Sequence, residues 1–255
     1  MVQNDWRRTW LDEESGSNYG DLLHKRATGE LPEMQSSIAV AKRLSGSVRA
    51  GNRILDVGCG SGHYLVSLRN RISCPFEYVG VDATAQYVER ARRAFPGIRF
   101  VQGDIFDLPF PDAEFDVVMC NNVLLHLPSI KEPLRQLVRV AKRQVIVRTL
   151  IGDRSFEVKA CDEETAENFS DDGSLQKFHY FNIYSEEVVR GLLAEIPEVE
   201  SSTIELDRDF DPVAIEAARK HSNKANATSL VGGWQVNGYI LEPWAFLTIS
   251  KSEQS

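Results

Sequence analysis

Ile54-Leu-Asp-Val-Gly-Cys-Gly-Ser-Gly62 is an apolar run that breaks into three glycines at alternate positions. Arg53–Gly58 reads as a short buried strand and His63–Arg71 as the helix after it. A chain that turns from strand to helix this fast needs glycine where the backbone bends sharply. It also needs glycine where a ligand touches main-chain atoms with no Cβ between. The spacing G-x-G-x-G, with Asp56 two residues before Gly58, differs by one position from the dinucleotide fingerprint G-x-G-x-x-G. Taken alone, the loop could serve a nicotinamide dinucleotide, so spacing does not decide the ligand.

Outward from this loop the pattern alternates. Phe76–Val81 is a second strand, and Thr84–Ala94 a helix with Val88, Ala91 and Phe95 on one face, stopped by Pro96-Gly97. Ile98–Val101 and Phe115–Cys120 are further strands, joined by the turn-rich Leu108-Pro-Phe-Pro-Asp112. A helix over Lys131–Ala141 leads to a fifth strand, Gln144–Thr149. Five strands with four crossovers predict an α/β fold, a doubly wound parallel sheet with helices on both faces. A helix over Pro32–Leu44 precedes the sheet.

Beyond the fifth strand, Gly152–Lys177 is polar, acidic and weakly periodic, as expected of a lid, a binding loop or disorder. Phe178–Tyr184 is aromatic-rich. Ser185 then reads as the N-cap of a helix running to about Ile196. Ser201–Leu206 and Ala245–Ile249 are the last strands. Between them lie a helical stretch, Asp211–Lys220, and a loop carrying Gly232-Gly233-Trp234.

Two further acids narrow the ligand. Asp82 ends the second strand, 24 residues after Gly58, where a carboxylate can accept both hydroxyls of a ribose. Asp104 follows the third strand, where it could accept a proton from an adenine amino group while Ile105 covers the ring. Either acid alone is as easily a turn cap. Together, after successive strands and with the glycine loop, they describe an adenosine site.

At this point the sequence resembles the class I S-adenosylmethionine-dependent methyltransferase family, closely over about residues 30–150. Ile54–Gly62 matches its first motif, and Asp82, with Ala83 beside it, its ribose-binding acid. Gly103-Asp104-Ile105 matches its adenine-contacting turn. Phe115–His126 looks like its fourth-strand motif, in which Asn121 would line the methionine end of the cofactor. The resemblance implies a Rossmann-like seven-stranded sheet with an antiparallel last strand. The chain is read as two regions: an N-terminal helical lid over residues 1–50, and a methyltransferase domain over 51–255 with an inserted cap at about 152–184. Many relatives carry Pro-Gly-Gly before the fifth strand. Here Ala141-Lys-Arg-Gln144 stands in that place.

Methyl transfer from a sulfonium is an in-line displacement that needs alignment and a dry site. It needs a base only if the acceptor must lose a proton. His126 is the first candidate base, with packing at the start of the next helix as the alternative, and His179 is the second. Tyr19 and Arg26 precede the first helix, where a lid could close over the cofactor and Arg26 could pair with its carboxylate. Aromatic residues near the N-terminus (Trp6, Trp10, Tyr19), in Phe178–Tyr184 and in Trp234–Trp244 could line an apolar acceptor site or pack as core and lid.

Composition sets the exclusions. The 255 residues carry a net charge of −8, with 16 acidic against 4 basic residues between Ser155 and Asp211. That field repels phosphate backbones, so a small-molecule acceptor is expected over nucleic acid. The four cysteines show no C-x-x-C spacing, no ligand cluster predicts a metal, and no apolar stretch approaches the roughly 18 residues that span a bilayer. A cytoplasmic methyltransferase follows. The alternatives are a protein or nucleic-acid methyltransferase, a non-catalytic S-adenosylmethionine-binding protein, or a dinucleotide oxidoreductase.

Overall fold

A computed structural model describes residues 13–161, 165–208, 228–231, 234–237 and 240–252. Its centre is a parallel sheet of β1 (Arg53–Val57), β2 (Glu77–Asp82), β3 (Arg99–Gln102), β4 (Phe115–Asn121) and β5 (Ala141–Gly152). Two later strands, β9 (Val199–Leu206) and β13 (Trp244–Lys251), complete it in the order β3-β2-β1-β4-β5-β13-β9. β13 runs antiparallel to both of its neighbours, as the family resemblance implies. Tyr184–Ser185 (β8) adds a short parallel pairing to the end of β5.

Alternation along the strands sends side chains to two faces, and each face buries its own layer. On one side Ile54, Tyr78, Val117 and Met119 pack against α2 (Gln35–Ser45), α3 (Tyr64–Arg71) and α4 (Ala85–Ala94), through Val40, Leu44, Leu65, Leu68 and Val88. On the other, Leu55, Val79, Val118 and Val145 meet α5 (Lys131–Val140) and α6 (Glu186–Ala194), through Leu134, Leu137, Val189 and Leu193. Burying each such aliphatic side chain stabilises by about 1.5–3 kcal/mol relative to exposure. Two dry layers around one sheet fix the open ends of the strands, and with them the site.

Several boundaries differ from expectation. The first helix of the sheet region begins at Gln35, not Pro32. Glu33 is drawn off the helix axis by Arg71 at 2.7 Å and Asn70 at 3.1 Å, and Met34 is extended at the N-cap. Tyr19 and Arg26 do not lie in a segment ahead of the first helix, because they belong to a separate one, α1 (Glu13–Ala27). α5 ends at Val140 and β5 starts at the next residue. The buried Lys251 ammonium allows this by donating to the carbonyls of Val138 and Ala141, each at 2.8 Å. An amine from β13 thus satisfies the carbonyls at the helix-to-strand junction.

The acidic stretch is ordered by pairing. β6 (Lys159–Cys161) and β7 (Phe178–Tyr180) form an antiparallel ribbon. Asn168 closes its far end, donating to the Lys177 carbonyl at 2.9 Å. At the near end the buried Asn182 donates to the Leu127 carbonyl and accepts from the Val158 N–H, both at 2.9 Å. Ser185 caps α6 as expected, accepting from the Val188 N–H. Trp234 opens a strand, β11 (Trp234–Asn237), between β10 (Thr228–Val231) and β12 (Ile240–Glu242), where a loop was expected. The expected helix Asp211–Lys220, the Gly232-Gly233 pair, Trp6, Trp10 and Tyr239 lie outside the described residues.

Candidate functional site

The carboxyl ends of β1, β2, β3 and β4 open into one cavity of about 350 Å³. Such crevices beyond the strand ends are where open α/β sheets bind ligands. The glycine loop forms its floor. Gly58 has φ +74°, and a Cβ there would meet Val123 Cγ2 at 2.3 Å, so both backbone conformation and space demand glycine. Gly60 lies under Leu23 of α1, which covers the loop. Gly62 is turned away from the cavity and packs against Phe95 and Phe100.

Asp82 joins the loop to β2. Its Oδ2 accepts from the Gly60 N–H at 2.8 Å and its Oδ1 from the Thr84 N–H at 2.9 Å. Burial raises its pKa, and these two bonds oppose the rise. Asp104 Oδ1 accepts from the Phe106 N–H at 3.0 Å, holding the turn after β3. Asp82, Ala83, Asp104 and Ile105 all face the cavity. Asp56 does not. It is buried beneath the loop, where the Tyr78 hydroxyl donates to it at 2.6 Å, and burial lifts its pKa to about 7.

Asn121, at the end of β4, lies on the cavity wall. It is 6% exposed, and among the described residues neither its Nδ2 nor its Oδ1 has a hydrogen-bond partner. Two orphaned polar atoms in a buried amide carry a cost unless a ligand takes them. Tyr19 reaches the cavity from α1. Arg26 stops short of the wall with a buried, unpartnered Nε.

His126 ends a 3-10 turn, Leu124–His126, and lies on the wall as well. Its Nδ1 is 2.9 Å from the Tyr180 carbonyl oxygen, which can only accept, so Nδ1 carries the proton and Nε2 the lone pair. Burial lowers its pKa to about 4, leaving it neutral at pH 7. His179 sits 6.3 Å from His126 on β7 and does not line the cavity. Nor do Phe178, Tyr180, Phe181 and Tyr184, which pack between the ribbon and the 3-10 turn.

The wall residues that sequence reasoning missed include Met34, His63, Tyr64 and Asn122. His63, pushed down to about 3 by burial and by the Arg26 charge, follows Gly62 directly, so its place beside the loop was a usable signal. Asn122 has φ +59°, a left-handed conformation that asparagine tolerates better than most residues. Among the described residues no group of three His, Cys, Asp or Glu side chains could hold a metal ion. Within the same residues no helix is long and apolar enough to cross a membrane.

Fold and site define a doubly wound α/β protein with an adenosine-type crevice: acids at the ends of β2 and β3, glycines at β1, an orphaned amide at β4. Residues 54–144 match a family model described as a methyltransferase domain. An uncharacterized methyltransferase, YcgJ, from Bacillus subtilis is 35% identical over 100 residues, 37% of this chain and 38% of that protein. A 27-O-demethylrifamycin SV methyltransferase from Amycolatopsis mediterranei is 34% identical over 116 residues, 42% of each. In both cases less than half of the relative's length is matched. Phosphoethanolamine N-methyltransferase 2 of Haemonchus contortus, solved with S-adenosyl-L-methionine, shares the fold at TM-score 0.64 and 14% identity, covering 97% of this chain and 60% of that one. Residues 54–144 thus match a methyltransferase domain, on a fold shared with a methyltransferase solved with S-adenosyl-L-methionine.

Proposed function

We propose that this protein transfers a methyl group from S-adenosylmethionine to a small-molecule acceptor. The observation that carries the reading is one cavity that joins the adenosine-type acids after β2 and β3 to the orphaned Asn121 amide and the neutral His126 at and after β4. When bound, the cofactor supplies an activated methyl group. The chain's own residues then do the rest. Asp82 accepts from the ribose hydroxyls, Asp104 and Ile105 hold the adenine, and Asn121 takes the methionine end. Gly58 and Gly60 let the backbone approach closely, with Asp56 beneath them bracing β1 through Tyr78.

Leu23, Met34, Val123 and Leu127 give the walls an apolar lining that excludes water. His126 accepts a proton at Nε2 when the acceptor must lose one. Helix α1, which carries both Tyr19 and Arg26, acts as lid, and the β6–β7 ribbon as cap. A small acceptor fits a cavity of about 350 Å³ and a relative named for a rifamycin. A cytoplasmic setting fits cysteines that form no disulfide among the described residues.

The test combines binding and transfer. Calorimetry should show binding of S-adenosylmethionine and none of NAD; the reverse would overturn the reading. Label from tritiated S-adenosylmethionine should enter the low-molecular-weight fraction of a cell extract. Label confined to protein or nucleic acid would overturn the small-molecule part alone.

A further inference from the structure

We propose that Asn122 is a fixed hydrogen-bond donor for an oxygen of the methyl acceptor, aimed by the buried Arg148–Asp207 pair. The inference rests on the methyl-transfer reading and adds a substrate class: acceptors with a carbonyl, phenolate or carboxylate oxygen near the methylated atom.

The geometry fixes which way the amide faces. Arg148 Nη1 donates to Asn122 Oδ1 at 2.6 Å. A guanidinium has donors only, so the Asn122 oxygen must face Arg148 and its NH2 must face the other way. On that side, Nδ2 donates to the Tyr64 hydroxyl at 3.4 Å, and the Tyr64 hydroxyl donates to Ser36 Oγ at 3.0 Å. Asn122 and Tyr64 both line the cavity. The long 3.4 Å contact uses one amide hydrogen weakly, and the NH2 group carries two.

Arg148 is itself immobilised. Its Nε donates to Asp207 Oδ2 at 2.7 Å, with the two side chains only 5% and 2% exposed, and its guanidinium lies 4.1 Å over the Trp244 ring. Burying an ion pair is costly, and such pairs earn little stability compared with apolar packing. Their recognised use is to hold one geometry. Here the pair ends on the amide of a left-handed residue in the cavity wall.

Strand order assigns the amide to the acceptor. Asp82 and Asp104 follow β2 and β3, whereas Asn122 follows β4 and is held from β5. From β2 to β4 is two strand spacings, roughly 10 Å, away from the adenosine end. An amide there lies on the β4 side of the crevice, the side the adenosine acids leave for the acceptor.

The decisive variant is Asn122→Asp. Asp keeps the pairing with Arg148 and tolerates the left-handed backbone, but has no N–H to offer. The probes are 1-tetralone and its hydrocarbon tetralin, with protein saturated by S-adenosylhomocysteine. The wild-type complex should bind the ketone about tenfold tighter, and N122D should abolish that preference while its S-adenosylhomocysteine affinity stays within about twofold. The double variant Arg148→Met with Asp207→Asn, which removes both charges together, should lose the preference too. No ketone preference in the wild type, or its survival in N122D, would overturn the proposal. A tenfold loss of S-adenosylhomocysteine affinity in N122D would also overturn it, by moving Asn122 to the cofactor. Failure of the wild type to bind S-adenosylhomocysteine at all would instead overturn the methyl-transfer reading.

Discussion

Asp82 Oδ2 accepts a hydrogen bond from the Gly60 N–H at 2.8 Å, so the acid of β2 and the glycine loop of β1 form one rigid unit. The register of the two strands makes this possible, with Val57 opposite Val81 and both chains ending together. Each carboxylate oxygen already takes one backbone N–H, and the Thr84 side chain adds a further bond, which leaves one lone pair for a ribose hydroxyl. Replacing Asp82 with Ala should therefore weaken S-adenosylmethionine binding at least tenfold, about 1.4 kcal/mol. Calorimetry checks this, and unchanged affinity removes Asp82 from the site.

Glycine substitution separates space from strain. Gly58→Ala places a Cβ 2.3 Å from Val123 Cγ2 at φ +74°, whereas Gly97→Ala adds one with nothing within 4 Å at φ +86°. Both pay the left-handed penalty of about 1–2 kcal/mol. Only Gly58→Ala should also cost cofactor affinity, measured by titration on folded protein.

Stability should fall as pH rises through the range set by Asp56. Its folded pKa is raised from 3.8 to about 7, so between those values the folded state binds the proton and the unfolded state does not. The contribution is fully present below pH 3.8 and lost by about pH 7. Asp56→Asn should flatten this slope, leaving the variant more stable than wild type at pH 8 by at least about 1.4 kcal/mol. Urea midpoints at pH 5 and 8 decide it.

His126→Asn tests the base while sparing the tether. An asparagine amide can replace the Nδ1 donor to the Tyr180 carbonyl but has no basic nitrogen. Turnover should drop about 10²-fold or more if the acceptor loses its proton to His126, with cofactor affinity and melting temperature nearly unchanged. Full activity would make the histidine a packing residue.

Lys251→Met should lower stability by about 1–3 kcal/mol, because the carbonyls of Val138 and Ala141 lose a charged donor where α5 meets β5. Lys251 is not on the cavity wall, so specific activity of the folded fraction should stay at the wild-type level. A urea titration with parallel assays measures both.

Most of the central sheet was legible because its signals are local. Buried parallel strands write themselves as apolar runs, and Pro96-Gly97 or Ser185 punctuate helices through their own backbone preferences. The acids at the ends of β2 and β3 were legible for the same reason, since a strand's end fixes where the next residue points. Lys251 was not legible. It lies over a hundred residues from the carbonyls it serves, and nothing nearby in sequence marks it as buried.

The contrast is sharpest within Asn121-Asn122. The sequence by itself determined that a glycine loop, two strand-end acids and the end of β4 would share one crevice, because strand order and strand polarity force them there. Only the tertiary structure decided that Asn121 is left without partners while Asn122 is gripped by Arg148. It likewise decided that Asp56 faces Tyr78 rather than the cavity, and that the cap's aromatic residues pack around His126. Those outcomes depend on which side chains from distant strands meet in a dry interior, where a donor-only guanidinium or an orphaned amide has no water to fall back on.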